Sequence, residues 1–133
     1  MQQVVDTWPQ AARDTANKLA RLIRDEATRL EAAPLTETTK WGQPAFLTEV
    51  TKSGTTIRLG WSEKDPGAIR LYVHCQTNLV DQWRARFPEL TCEGNRAIAL
   101  PLDQPLPQSP LRSCVSMALT YHRAKQSRPN VRP

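Results

Sequence analysis

The chain has 133 residues, of which 39% are hydrophobic and 23% charged, and this ordinary composition predicts one domain that buries a core without disulfides. No apolar run reaches the roughly 18 residues of a membrane helix, and residues 1–6 lack the pattern of a signal peptide, so we expect a cytoplasmic protein with no membrane partner. The formal charge is +5, but every acidic residue precedes Gln104, whereas five basic residues follow it. An excess confined to the C-terminal segment argues against nucleic acid as a partner.

The first long element is a predicted helix from about Pro9 to Ala33. Apolar residues recur along it at every third or fourth position, which is the period of a helix with one buried face. Thr7 and Gln10 have the spacing of a capping box at its start, and Pro34 indicates its end. The outward face carries both charges and is typical of a solvated surface.

The segment Lys40–Phe46 joins this helix to the first predicted strand. Two aromatic residues, Trp41 and Phe46, flank a Gly and a Pro, and these two residue types favour a bend. The pattern predicts a structural corner or, alternatively, the lip of a ligand-binding site.

Alternating apolar residues predict five strands, in the segments 46–51, 56–61, 69–75, 90–92 and 98–102. A tight turn at 52–55 joins the first two, with Gly54 supplying a positive φ. A short helix capped by Thr77 and ended by Pro88 precedes the last two strands. The final helix is predicted to begin with Ser109 as N-cap and Pro110 as its first residue.

The predicted order is therefore helix, three strands, helix, two strands, helix. Short turns between neighbouring strands favour an α+β fold of two layers, a mostly antiparallel five-stranded sheet covered by helices. We expect a single domain over residues 1–126 and a flexible basic tail at 127–133. An exposed sheet edge leaves both a monomer and a homodimer open.

The cysteines predict no disulfide or metal site. Cys75, Cys92 and Cys114 are widely spaced and each falls at an apolar position of its element, so we expect buried, reduced thiols. Strand alternation places Cys75 in the core and His74 on the opposite face, which argues against a Cys/His catalytic pair. The chain also lacks a serine elbow and a glycine-rich phosphate loop. These observations leave catalysis undecided and favour a non-enzymatic binding domain.

One face of the predicted sheet groups cations with aromatic residues. The candidate ligand-binding residues are Trp41, Phe46, Arg58, Arg70, Tyr72 and His74. Cations and aromatic rings grouped in this way can hold a small anion or a planar ligand. The alternative is a solvated face on which the arginines pair across strands with carboxylates such as Glu49.

Three segments resemble the YdhG-like family, a bacterial domain of largely unknown function. They are Lys40-Trp41-Gly42-Gln43-Pro44-Ala45-Phe46, Glu93-Gly94-Asn95-Arg96-Ala97-Ile98 and Leu102-Asp103-Gln104-Pro105-Leu106-Pro107. The resemblance extends from about Pro9 to Lys125 and implies a small α+β fold of the frataxin type. Some members are described as frataxin-like iron chaperones, so the resemblance implies iron as an alternative cofactor. Its oxygen ligands would be Asp25, Glu26 and Glu31 at the end of the first helix.

The leading hypothesis is a small cytoplasmic domain without a cofactor that binds a small molecule or a protein partner near the Trp41 corner. Intracellular iron binding is the alternative.

Overall fold

The computed structural model describes residues 2–124 as an open six-stranded sheet with helices packed against one face. The elements in chain order are α1 (Gln2–Val5), α2 (Gln10–Arg29), β1 (Thr36–Lys40), β2 (Gln43–Leu47), β3 (Ile57–Ser62), β4 (Asp65–Tyr72), α3 (Leu79–Arg86), β5 (Thr91–Glu93), β6 (Ala97–Pro101) and α4 (Gln108–Leu119). The strands lie in the order β1-β2-β3-β4-β6-β5, and each neighbouring pair is antiparallel. The tail predicted at 127–133 lies outside the described residues. Within residues 2–124, no helix has the length and apolar character needed to cross a membrane.

The core lies between the sheet and the helices. Strands direct alternate side chains to opposite faces, and the core-facing set is fully buried, as in Phe46, Ile57, Leu59, Leu71 and Ile98. Helix α2 adds a stripe of buried alanine and leucine residues, and α4 adds the buried Leu111, Cys114, Val115 and Leu119. The prediction of an α+β fold with an antiparallel sheet and helices is confirmed.

The prediction of five strands is wrong, because β1 was not expected. Its sequence, TETTK, has no apolar alternation, and all its residues are exposed or half-buried at the sheet edge. Lys40 pairs with Gln43, so Trp41 and Gly42 form a two-residue hairpin loop with φ values of 51° and 72°. Two positive φ angles in such a loop match a type I′ turn. The predicted corner is therefore a hairpin, and β2 begins at Gln43.

The ends of α2 also differ from prediction. The helix starts at Gln10 without a side-chain cap, because Thr7 donates its hydroxyl to the carbonyl of Val4 at the end of α1, at 2.6 Å. At the other end the helix stops at Arg29, before Pro34 is reached. The predicted capping box is therefore wrong.

Glu31 ends α2 in the left-handed conformation, with a φ of 57°. Its N–H donates to Thr28 at 3.3 Å, and the N–H of Ala32 donates to Ala27 at 2.8 Å, which is the Schellman pattern of helix ends. Arg123 then donates to the carbonyls of Leu30 and Glu31, both at 2.7 Å. A cation at this position satisfies the last carbonyls and opposes the helix dipole.

Gly54 allows its loop to lie close to the end of α4 and does not adopt a positive φ. A β-carbon there would overlap the backbone of Ala118 and Leu119 at the end of α4. The N–H of Thr55 donates to Ala118 at 2.9 Å, which holds the loop on the helix. The positive φ in this loop belongs to Lys52, at 53°, so the predicted role of Gly54 is wrong.

The cysteines are free thiols, as predicted, but only one is in the core. Burial raises the pKa of the Cys114 thiol to about 12. Cys92 is half-buried and Cys75 is exposed. The prediction of a buried Cys75 is wrong because β4 ends at Tyr72, so strand alternation does not extend to residue 75.

Candidate functional site

Arg58 lies on the open face of the sheet between two aromatic rings. Its guanidinium carbon is 5.0 Å from the ring centroid of Trp41 and 5.3 Å from that of Tyr72. Tyr72 is the cross-strand partner of Arg58 in β4, whereas Trp41 reaches it from the β1–β2 hairpin. Cation–π attraction operates at these distances. We call Trp41, Arg58 and Tyr72 the Arg58 clamp.

Gln43 and Gly60 fix the position of the clamp. Arg58 donates from Nη1 to Oε1 of Gln43 at 2.7 Å. A β-carbon at residue 60 would lie 2.7 Å from Nε2 of Gln43 and 2.9 Å from Cε2 of Tyr72. Glycine therefore allows both side chains to lie against β3, where they hold Arg58.

Arg58 has no carboxylate partner among residues 2–124, and the predicted alternative pairing with Glu49 is not found. Burial lowers the pKa of Arg58; the ring of Tyr72 opposes this shift and the positive charge of Arg96 adds to it. A partly desolvated guanidinium with a neutral amide as its hydrogen-bond partner retains free N–H donors. This side chain can therefore accept an anion without losing an ion pair.

Arg70 is in the opposite electrostatic state. It donates from Nε to Glu93 at 2.6 Å and also binds Asp65. The hydrogen bonds that it donates to these two carboxylates raise the pKa of Arg70. The two arginines that the sequence grouped together thus differ, because Arg70 is neutralised and Arg58 is not.

An open cleft of about 350 Å³ lies beside the clamp. Three cations line it, Lys40, Arg58 and Arg96, together with Trp41 and His74. The remaining lining residues are neutral: Thr55, Thr56, Val73 and Cys75. Because no Asp or Glu among residues 2–124 lines it, the cleft attracts negative charge. We call it the Arg58 cleft.

His74 contributes a further hydrogen-bond donor to the lining. Its Nδ1 accepts the backbone N–H of Gln76 at 3.1 Å, so Nε2 is the ring nitrogen that can donate. Cys75 also lines the cleft, and the strand argument that separated these two residues no longer holds. An activated Cys/His pair requires a hydrogen bond between the thiol and the imidazole. Among the hydrogen bonds of the described residues, none joins Cys75 to His74.

Trp41 combines exposure with backbone strain. Its side chain is 82% exposed, and its φ of 51° lies in the left-handed region. A bulky residue there costs roughly 1–2 kcal/mol, and type I′ turns prefer Asn or Gly. Stability alone does not favour a tryptophan here. Strained residues of this kind cluster at binding sites.

The structure brings four of the six predicted site residues to one place: Trp41, Arg58, Tyr72 and His74. Arg70 points to Glu93 and Asp65 instead. Phe46 is fully buried because it pairs with Ile57 on the core-facing side of β2. Its ring belongs to the core and not to a lip.

Sequence reasoning missed two cations of the cleft. Lys40 precedes the two-residue turn and pairs with Gln43, so it shares the open face with Arg58. Arg96 lies in the turn between β5 and β6, and its carbonyl accepts the N–H of Val73 at 2.8 Å. The hairpin signal Gly94-Asn95 was visible in the sequence, but the pairing of β6 with β4 was not.

The three residues of the iron alternative lie in different environments. Glu26 is 2% exposed and binds Arg29 at 2.7 Å and Arg112 at 3.3 Å. The hydrogen bond from Arg29 is the main cause that lowers its pKa. Asp25 and Glu31 are exposed. Within residues 2–124, no group of three or more His, Cys, Asp or Glu side chains could hold a metal ion. Iron binding stays a prediction.

Comparisons with protein-family models, with curated proteins and with solved structures find no match for this chain. The YdhG-like resemblance therefore stays a prediction. The fold and the site by themselves define an α+β domain with an open antiparallel sheet and a cationic, aromatic cleft on its free face.

Proposed function

We propose that the protein is a non-enzymatic binding domain whose Arg58 cleft takes a small planar anion. The observation that carries this proposal is the state of Arg58, which is held between Trp41 and Tyr72 and hydrogen-bonded to the neutral amide of Gln43. A guanidinium offers five N–H donors, and Gln43 accepts from one nitrogen. A carboxylate or phosphate can take two more in a fork.

The size and lining of the cleft support a small molecule. Its volume of about 350 Å³ falls within the range of small-ligand sites, roughly 300–1,000 Å³. The exposed ring of Trp41 offers a flat surface on which a planar group can stack. Rigid aromatic anchors keep the ordering cost of binding low.

Benzoate is a suitable first probe, because it joins one carboxylate to one flat ring. A titration of the full ¹⁵N-labelled chain should shift backbone amides around Lys40, Thr56, His74 and Arg96, with a Kd on the order of 1 mM, which is about 4 kcal/mol. Hydrogen bonds to a charged group are worth roughly 1.5–3 kcal/mol. Arg58→Gln should therefore weaken benzoate at least about tenfold.

Arg21→Gln is the matched control, since it removes the same charge from an exposed position of α2. It should leave the affinity for benzoate unchanged. Equal weakening by both variants would show that net charge, and not the cleft, attracts the probe. Shifts that avoid the cleft would also contradict the proposal.

A further inference from the structure

We infer that the ligand of the Arg58 cleft is a phosphate monoester that carries a planar ring, as the nucleoside monophosphates and phenyl phosphate do, and not a singly charged carboxylate. This inference rests on the proposed function, because it names the chemical class of ligand for the same cleft.

The charge of the lining supports a ligand with more than one negative charge. In the described part of the chain, Lys40, Arg58 and Arg96 place three positive charges around about 350 Å³, with no carboxylate in the lining. Arg96 is close enough to Arg58 for its charge to lower the pKa of that guanidinium. One carboxylate would leave two of the cations uncompensated, whereas a phosphate monoester carries about −1.5 to −2 at pH 7.

The three cations come from separate elements. Lys40 ends β1, Arg58 lies within β3, and Arg96 follows β5 in the turn before β6. They meet at the cleft because the sheet folds these elements together, and not because they are neighbours in sequence. The tetrahedral phosphate presents three oxygens in different directions, so it can accept hydrogen bonds from several sides. Lysine and arginine side chains are donors with no acceptor.

The cleft lining combines hydrogen-bond donors with an exposed aromatic ring. His74 adds Nε2 as a further polar group, since Gln76 occupies its Nδ1. Trp41, which is 82% exposed, also lines the cleft and can stack on a base or another planar group. A phosphate monoester with a planar ring can contact both the cations and Trp41, whereas inorganic phosphate can contact only the cations.

Phenyl phosphate and benzoate form the test pair, because they share a ring and differ in the anionic group. Calorimetric titration of the full chain should give phenyl phosphate an affinity about tenfold higher than benzoate, which is 1.4 kcal/mol. Inorganic phosphate should bind about tenfold more weakly than phenyl phosphate, because it lacks the ring.

Arg96→Gln tests the role of the second cation. The side chain of Arg96 is exposed, and its structural hydrogen bonds are made by the backbone, so the variant should keep the fold. It should reduce the affinity for phenyl phosphate about fivefold to tenfold and that for benzoate by a smaller factor, because the carboxylate carries less charge. Arg21→Gln again serves as the charge control.

The outcomes separate this inference from the function on which it rests. Equal affinities for the two probes, both lost in Arg58→Gln, would overturn the phosphate inference and leave the proposed binding of a planar anion standing. Binding of phenyl phosphate that survives in Arg58→Gln would place the phosphate elsewhere on the chain and would also overturn the inference. Failure of both probes to bind would remove the two proposals together.

Discussion

Replacing Trp41 with Asn separates a role of the indole ring in binding from a role in folding. The substitution places Asn before Gly42, and Asn-Gly is the preferred pair for a type I′ turn. Relief of the left-handed strain should raise the free energy of unfolding by about 1 kcal/mol. The residue is 82% exposed, so its buried area is small.

The losses in this variant are of similar size. About 40 Å² of buried ring surface corresponds to about 1 kcal/mol at ~25 cal/mol per Å². The cation–π contact with Arg58 adds about 0.5–1 kcal/mol at a partly exposed site. The expected net change is a destabilisation of about 1 kcal/mol or less. Urea unfolding followed by circular dichroism measures this change as a shift of the midpoint urea concentration, with the dependence of the free energy on urea unchanged.

Binding should respond much more than stability. Loss of a stacking surface costs roughly 1–3 kcal/mol per ring, so Trp41→Asn should weaken benzoate about fivefold or more. Glu31→Gly is the matched control, because it relieves the same left-handed strain at the end of α2. That control should stabilise the protein by about 0.5–1 kcal/mol and leave binding unchanged.

A destabilisation above about 2 kcal/mol in Trp41→Asn, with benzoate binding intact, would refute this reasoning. It would show that the ring serves as a structural corner, which was the first of the two sequence-based interpretations of Trp41.

Three further predictions concern the scaffold. Gly54→Ala should lower the free energy of unfolding by about 1–3 kcal/mol through overlap with α4, whereas Gly67→Ala, where a β-carbon meets no atom within 4 Å, should be nearly neutral in the same urea titration. Because the pKa of Glu26 is lowered in the folded state, its stabilising contribution is present above the unfolded pKa of about 4.3 and is lost as pH falls through the folded value; Glu26→Gln should flatten that part of the pH–stability curve. Iodoacetamide should label Cys75 in the native protein, while Cys114 should react only after unfolding.

Each of these predictions has a contrary result. Equal effects of Ala at residues 54 and 67 would mean that the loop does not rest on the end of α4. An unchanged stability curve of Glu26→Gln below pH 5 would show that its bonds to Arg29 and Arg112 contribute nothing to folding. Native labelling of Cys114, detected by mass spectrometry of the digested protein, would contradict its burial.

The elements with apolar periodicity were predictable, and those without it were not. The spacing of Ile57 and Leu59 marks β3, because their side chains must reach the core. Strand β1 escaped prediction because an edge strand with half-exposed threonines carries no such pattern. Its acidic residue Glu37 instead binds Arg24 of α2, at 2.7 Å. The position of Cys75 was mispredicted because alternation gives no sign of where a strand stops.

Part of the candidate site could be predicted from the alternation of side chains along the strands. The alternation predicted Arg58 and Tyr72 on the same face of two neighbouring strands, and the two residues form a cross-strand pair between β3 and β4. The alternation could not show that Arg70 is neutralised, because its partner Glu93 lies 23 residues away in the chain. Arg96 joins the cleft through the pairing of β4 with β6, a contact that no local pattern specifies.

The arginine side chains themselves give the most direct measurement. In a ¹⁵N NMR titration of the Nε–Hε groups with phenyl phosphate, the resonance of Arg58 should shift and saturate with the same Kd as the backbone amides of the cleft. The resonance of Arg70, already bound to Glu93 and Asp65, should stay in place. A stationary Arg58 signal, or an Arg70 signal that moves first, would contradict the assignment of Arg58 as the group that receives the anion.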